Sequence, residues 1–314
     1  GFYTALEVLL DLEGLKGGRD EECGEDAQRE WLEEHFTWGA FSRMVTKAGA
    51  EVGVGRDGFN AYLLRVAPEG VAQRYFELLK WMTVRKDFPP EFAEWECVLA
   101  MKKGEDRHVV HRRRDLWLVP HAQKLVARVV GESYDGVADT QVPGSQGGWE
   151  VNRGAPSMHV PLVVQKEMCW EQGRPLFRAF VDMGQFFPTI VREVQYRVER
   201  RMGVAPAITA VMRALQDGAR GSTVTAYGRT EGWALQLGVG QGCVNATRRA
   251  KLQVAIIQRA VSQLCEGFDF ADGAEERERG CLSASMRTMA RSWRTASGAC
   301  KRAWTRAGGC ATCL

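Results

Sequence analysis

Apolar residues along this chain recur with two periods, one near 3.6 and one near two, and these alternate without a repeating unit. A regular strand-helix repeat would demand a parallel sheet with crossover helices, and a repeat of about 20–50 residues would demand a solenoid. Neither pattern is present, so the chain is expected to be α+β. Residues 25–48 read as one helix with a stripe of Trp31, Phe36, Trp38, Phe41 and Met44, and "VGRDGFN" reads as a turn. A second amphipathic helix is expected at 70–84, stopped before Pro89 and Pro90. "WECVLAMKKG" alternates like a strand running into a basic turn, and "RRRDLWLVPHAQKLVARVV" gives a strand, a Pro turn and a helix start. Residues 131–157, rich in Gly, Pro and Ser, read as loop, followed by a helix near 160–171 and a strand ending at Asp182. Beyond it come a helix at "AITAVMRALQDGA", a hairpin over "STVTAYGRTEGWALQLGVGQGC" and a long amphipathic helix at 246–264. After residue 273 branched aliphatics become scarce, and the remainder reads as a weakly structured tail.

Composition narrows the function classes. With 45% hydrophobic and 26% charged residues the chain has the make-up of a soluble globular protein, and no apolar run reaches the roughly 18 residues of a membrane span. No signal segment opens it, so an intracellular location, nuclear or cytoplasmic, is expected; the initial Gly suggests a fragment. Nine cysteines without an even framework suit reduced thiols. Cys310 and Cys313 form a lone CxxC pair, short of a zinc site, and His108 and His111 sit among arginines that would repel a cation. Residues 1–40 hold eleven acids against three Lys or Arg, whereas 102–128 hold eight Lys or Arg against three acids. That second stretch is a cationic surface suited to polyphosphate, or simply a solvated face.

Asp182 is the residue that composition leaves unexplained. It ends the apolar run in "FRAFVDMGQFFPTI", and an ionised carboxylate in such a setting costs roughly several kcal/mol unless a cation or donors hold it. A neighbouring Arg, a helix N-terminus or a metal ion would each serve. A second acid, Asp272, stands in "GFDFADGAEE", where Phe268, Phe270 and Asp272 alternate as in a strand and Asp272-Gly273 favours a tight turn. Two acids on adjacent strand ends can hold divalent cations, and Mg²⁺ prefers a few carboxylates plus substrate phosphates.

Read in order from 55 to 273, these segments resemble the reverse transcriptase domain of the non-LTR retrotransposon type. "GRDGFNAYLL" is similar to that family's opening segment, and "FPPEFAEWECVLAMKKG" to the strand that carries a lysine to the fingers. "RRRDLWLVPHAQKL" is similar to "RPI…L.P…KL" with Asp115 in place of Pro, and "SQGGW" to the "Q.GF" loop. "FVDMGQFFPTI" is similar to "D-x-x-x-x-F/Y", "GVGQGC" to "G.RQGCPLSP" and "FADG" to "[YF]ADD". The resemblance implies right-hand polymerase fingers and palm, the palm an antiparallel sheet backed by helices, with the thumb missing. It places an N-terminal helical extension at 1–50, fingers with interleaved palm parts at 51–175, palm at 176–273 and a degenerate tail at 274–314.

The implied activity is RNA-directed DNA synthesis with Mg²⁺ or Mn²⁺, an RNA template, a DNA primer and deoxynucleotides, without a membrane. Asp182 and Asp272 would be catalytic and would hold the metals together with the Met183 backbone carbonyl. Lys102, Lys103 and Arg114 would hold the triphosphate, Phe187 would exclude a 2′-hydroxyl and Gln241 would contact the nucleotide. Gln146 and Gly242 would touch template or primer. Bland readings stand beside these: Phe187 as a core ring, Gln241 as a turn residue. Gly273 departs from the second Asp of the paired motif, "VNAT" from "PLSP", and "AEERERG" from an apolar return strand. Those departures raise a second reading, an inactive remnant that binds nucleic acid; a third is a non-enzymatic α+β scaffold.

Overall fold

A Thr placed between two apolar stretches decides how residues 25–48 fold. In a computed structural model describing residues 24–101, 113–142, 144, 146–148, 153–178, 180, 183, 186–240 and 242–264, the expected 25–48 helix is two. Helix α1, Glu25–His35, stops at buried Phe36, and α2, Trp38–Thr46, starts afresh because extended Thr37 caps it, its Oγ1 accepting from Ala40 N at 3.2 Å. A short helix α3, Tyr62–Val66, precedes α4, Glu69–Arg85, within one residue of expectation at each end. Lys86 ends α4 in the left-handed region at φ 56, and its Nζ donates to Gln28 Oε1 at 3.0 Å, tying α4 to α1. A 3-10 turn at Pro90–Ala93 leads into β1, Glu94–Ala100, followed by β2, Arg114–Leu118.

Helix α5, His121–Gln141, runs eleven residues into the stretch expected to be loop. The misleading residue is Gly131. A Cβ there would sit 2.3 Å from Asn245 Oδ1, and Asn245 Nδ2 donates to the Ala127 carbonyl at 2.6 Å, so this glycine marks a close approach between segments and not a turn. Helix α6, Ala155–Glu171, starts five residues before its expected position. No strand occurs among the described residues 174–178, 180 and 183, contrary to the expected strand ending at Asp182; residues 179, 181 and 182 lie outside the description. A single helical turn α7, Phe186–Thr189, is followed by α8, Arg192–Arg201, and α9, Pro206–Gln216. The hairpin is β3, Arg220–Thr225, with β4, Gly228–Arg229, while β5, Trp233–Ala234, pairs with the start of β3. Helix α10, Ala246–Leu264, matches its expected span.

The fold is α+β, a five-stranded sheet backed by helices, ordered β2-β1-β3-β4 with β5 beside β3. It is mixed rather than antiparallel throughout: β1 pairs antiparallel with β2 but parallel with β3, Trp95 opposite Gly221. A parallel pair needs a crossover, here the long helical excursion from α5 to α9. The main core packs α1, α2, α4, α5, α8, α9 and α10 around Leu79, Leu125, Val126, Tyr134, Val211 and Ile256. The chain divides into units Gly1–Glu266 and Gly267–Leu314, and every described residue belongs to the first. Among the described residues no helix is long and apolar enough to cross a membrane.

Candidate functional site

Strand alternation sorts the β1–β3 side chains into two faces. On one, Trp95, Trp117 and Trp233 form a ladder, with Trp117 edge-on to each of the others at 6.3 Å between ring centroids. Trp95 is buried and donates from Nε1 to Gln123 Oε1 at 3.0 Å, while Gln123 Nε2 reaches the Leu215 carbonyl at 3.0 Å. Trp117 donates to Asp115 Oδ2 at 3.0 Å, so the acid standing where the resembling family has Pro serves as the indole's acceptor. Cys97 shares this face, and burial, with Asp115 nearby, pushes its thiol up to about 11.

The glycine loop "GVGQGC" lies over that ladder. Gly238 N donates to the Ile190 carbonyl at 2.7 Å and Val239 N to the Phe187 carbonyl at 3.0 Å, which fixes the loop to α7. Gly242 has φ +119, and a Cβ on it would fall 2.3 Å from the Trp117 carbonyl oxygen, so no other residue fits there. Cys243 N closes the turn on the Gly240 carbonyl at 2.9 Å. Three segments distant in sequence thus meet: the one after Asp182, the glycine loop, and the strand that starts at Arg114.

The nominated residues fare unequally. Phe187 is half-buried, packed with Phe186 against Ile190, Val239 and Ala246, which makes it at least the core ring of its bland reading. Gly242 sits on Trp117, as described. Arg114 is exposed at the head of β2, on the face opposite Trp117, and among the described residues its side chain makes no hydrogen bond or ion pair. Gln146 is buried at 6% exposure, and its Oε1 has no partner among the described residues. Met183 is half-buried in irregular backbone. Asp182, Asp272, Lys102, Lys103 and Gln241 lie outside the described residues, as do His108, His111, Cys310 and Cys313. Among the described residues no group of three His, Cys, Asp or Glu side chains is arranged to hold a metal, and the three described cysteines, Cys97, Cys169 and Cys243, are free thiols.

Sequence reasoning missed what anchors the loop from below. Arg192 donates from Nε to the Gly238 carbonyl at 2.9 Å and from Nη1 to the Gln216 carbonyl at 2.5 Å. Gln216 Oε1 accepts from Arg249 Nη1 at 2.5 Å, and Arg249 Nε meets Glu199 Oε1 at 2.5 Å in an ion pair with both side chains fully buried. Glu199 also accepts from Tyr134 Oη at 2.9 Å and from Gln195 Nε2 at 2.8 Å. Burial works against the Arg249 charge, but Glu199, then Tyr134 and Tyr196, outweigh it and hold the guanidinium above its ordinary pKa. A signal was present: Arg249 lies on the buried stripe of α10 with Leu252, Gln253 and Ile256, and Arg192, Gln195 and Glu199 share one face of α8. A charge inside a buried stripe requires a buried partner.

No protein-family model matches the chain, and no curated protein matches it at a significant level.

Proposed function

We propose that this chain is a fingers-and-palm segment of an RNA-directed DNA polymerase, transferring deoxynucleotides onto a primer 3′-hydroxyl, in an intracellular compartment. One observation carries the reading: the segment after Asp182, the glycine loop and the Arg114 strand, far apart in sequence, share hydrogen bonds or van der Waals contact around Phe187 and Trp117. A polymerase of this kind requires that meeting, because its carboxylates, nucleotide pocket and phosphate-binding strand act on one substrate. Phosphoryl transfer is governed by positioning and charge stabilisation, so acids for metals and cations for phosphates suffice.

In this reading Asp182 and Asp272, with the Met183 carbonyl, hold Mg²⁺ or Mn²⁺. When bound, the ions supply activation of the 3′-hydroxyl and neutralisation of the leaving pyrophosphate. Arg114, exposed at the head of β2 on the face opposite Trp117, would reach round the end of the strand to grip the triphosphate, with Lys102 and Lys103 as point charges. Phe187, fixed through its backbone to Val239, sets the ring against the sugar, while Gln241 and Gly242 bound the nucleotide and the segment at Gln146 would flank the template strand.

Gly273, where the paired motif has a second Asp, favours the alternative of an inactive remnant that still binds nucleic acid. Primer extension on an RNA template with Mg²⁺, comparing the chain with Asp182→Asn, separates the two. Extension lost in the variant supports the polymerase; duplex binding without extension in either supports the remnant; extension unchanged in the variant removes Asp182 from the mechanism.

A further inference from the structure

The outward stripe of α5 carries Lys124, Arg128, Glu132 and Asp135, spaced to share one side of the helix. Its two acids are each neutralised from another helix. Arg43 of α2 reaches Glu132 at 2.8 Å, and Arg248 of α10 grips Asp135 with Nε at 2.6 Å and Nη2 at 2.7 Å. The two cations are treated differently. Lys124 and Arg128 stand one turn apart, both half-buried, and among the described residues neither side chain makes a hydrogen bond or an ion pair. Glu132, one turn beyond Arg128, is committed to Arg43.

Such a pair is costly by itself. Like charges at this spacing repel, and partial burial strips water from both. Burial lowers the pKa of each, and for Lys124 the neighbouring Arg128 adds to the effect, with Asp57 and Cys243 acting weakly the other way. Those last two residues locate the pair. Asp57 belongs to the "VGRDGFN" turn and Cys243 ends the glycine loop, and contacts agree: His121 meets Gly53 and Ala61 on either side of that turn, and Asn245, two residues past Cys243, reaches the Ala127 carbonyl, so this part of α5 runs between the two. His121, one turn before Lys124, is committed, its ring bridging Ala61 N and the Gly53 carbonyl, and so adds no third cation.

We propose that Lys124 and Arg128 form a seat for a phosphodiester group of a bound polynucleotide, beside the glycine loop. An anion removes the repulsion and gives both heads a charged acceptor. The phosphate chemistry stands on the pair itself; naming the polynucleotide as its source rests on the polymerase reading.

The test measures binding of an RNA–DNA primer duplex against salt, without Mg²⁺ or nucleotides, for the full chain, Lys124→Met/Arg128→Met, and Lys47→Met/Arg74→Met as a charge-matched control. The seat requires the first double variant to bind about tenfold more weakly, with a salt slope shallower by about one to two, while the control changes less. It also requires the unliganded variant to melt no lower than the wild type, since two repelling cations have been removed. An unchanged slope overturns the seat. So does a lower melting point or failure to fold, because the pair would then be structural. Tripolyphosphate is the second arm: if it raises the wild-type melting point and not the variant's, while duplex binding is equal in both, the polynucleotide is overturned as occupant. A wild type that binds duplex through these cations yet extends no primer removes the polymerase reading and leaves the seat standing.

Discussion

Two parts of the molecule use similar amounts of apolar sequence in opposite ways. Around α5, α8, α9 and α10, aliphatic side chains are buried, and even the charged Arg192, Glu199 and Arg249 are enclosed among named partners. Helix α6 and the residues after it are just as apolar, yet within α6 Cys169 alone is buried, and Trp170, Phe177 and Phe180 are 79%, 87% and 84% exposed. The lesson is that apolar content does not decide burial. What decides it is whether neighbouring elements present a matching surface, and α5 meets one in α2, α4, α9 and α10.

Breaking the buried pair should produce the largest effect. Glu199→Gln or Arg249→Met alone leaves a charge or its partners stranded and should cost about 3–5 kcal/mol in chemical denaturation, whereas the paired apolar replacement should cost much less. Gly131→Ala comes next, since its methyl would meet Asn245; a loss of about 1–3 kcal/mol is expected, and no loss would mean that α5 and Asn245 stand further apart than 2.3 Å from a Cβ implies. On the other side of the comparison, Phe177→Ser and Phe180→Ser should stay within about 0.5 kcal/mol of wild type. A cost above about 2 kcal/mol would show both rings to be covered.

A smaller effect belongs to His121, whose ring links Ala61 N and the Gly53 carbonyl. Burial lowers its pKa in the folded chain below the ordinary 6.5, so the unfolded state binds more protons between those two values. Its contribution to stability is therefore full above pH 6.5 and is lost as pH falls through the depressed value. Denaturation of wild type and His121→Gln across that range should show a slope in the first and a shallower one in the second.

Long elements were legible because their period and their stops agree: α4 ends before Pro89 and α10 keeps one apolar stripe throughout. The break at Thr37 was not, because a single cap outweighs a stripe that continues on both sides of it. Nor was the length of α5, where Gly131 serves a neighbour that only the folded chain supplies. At the site, the sequence pointed to Phe187, Gly242 and Arg114, and their segments do adjoin. Arg192, which holds the Gly238 carbonyl, was harder to see: its one signal is the face it shares with Gln195 and Glu199, and on a short polar helix that face resembles a surface one until its acceptors are placed.

The proposed function stands only if Asp182 and Asp272 share a metal site. Replacing Mg²⁺ with Fe²⁺ and initiating hydroxyl-radical chemistry cuts the backbone near bound iron. The account requires cleavage next to both 182 and 272, suppressed by excess Mg²⁺ and absent from Asp182→Asn. Cuts at one position alone, or at neither, would contradict it.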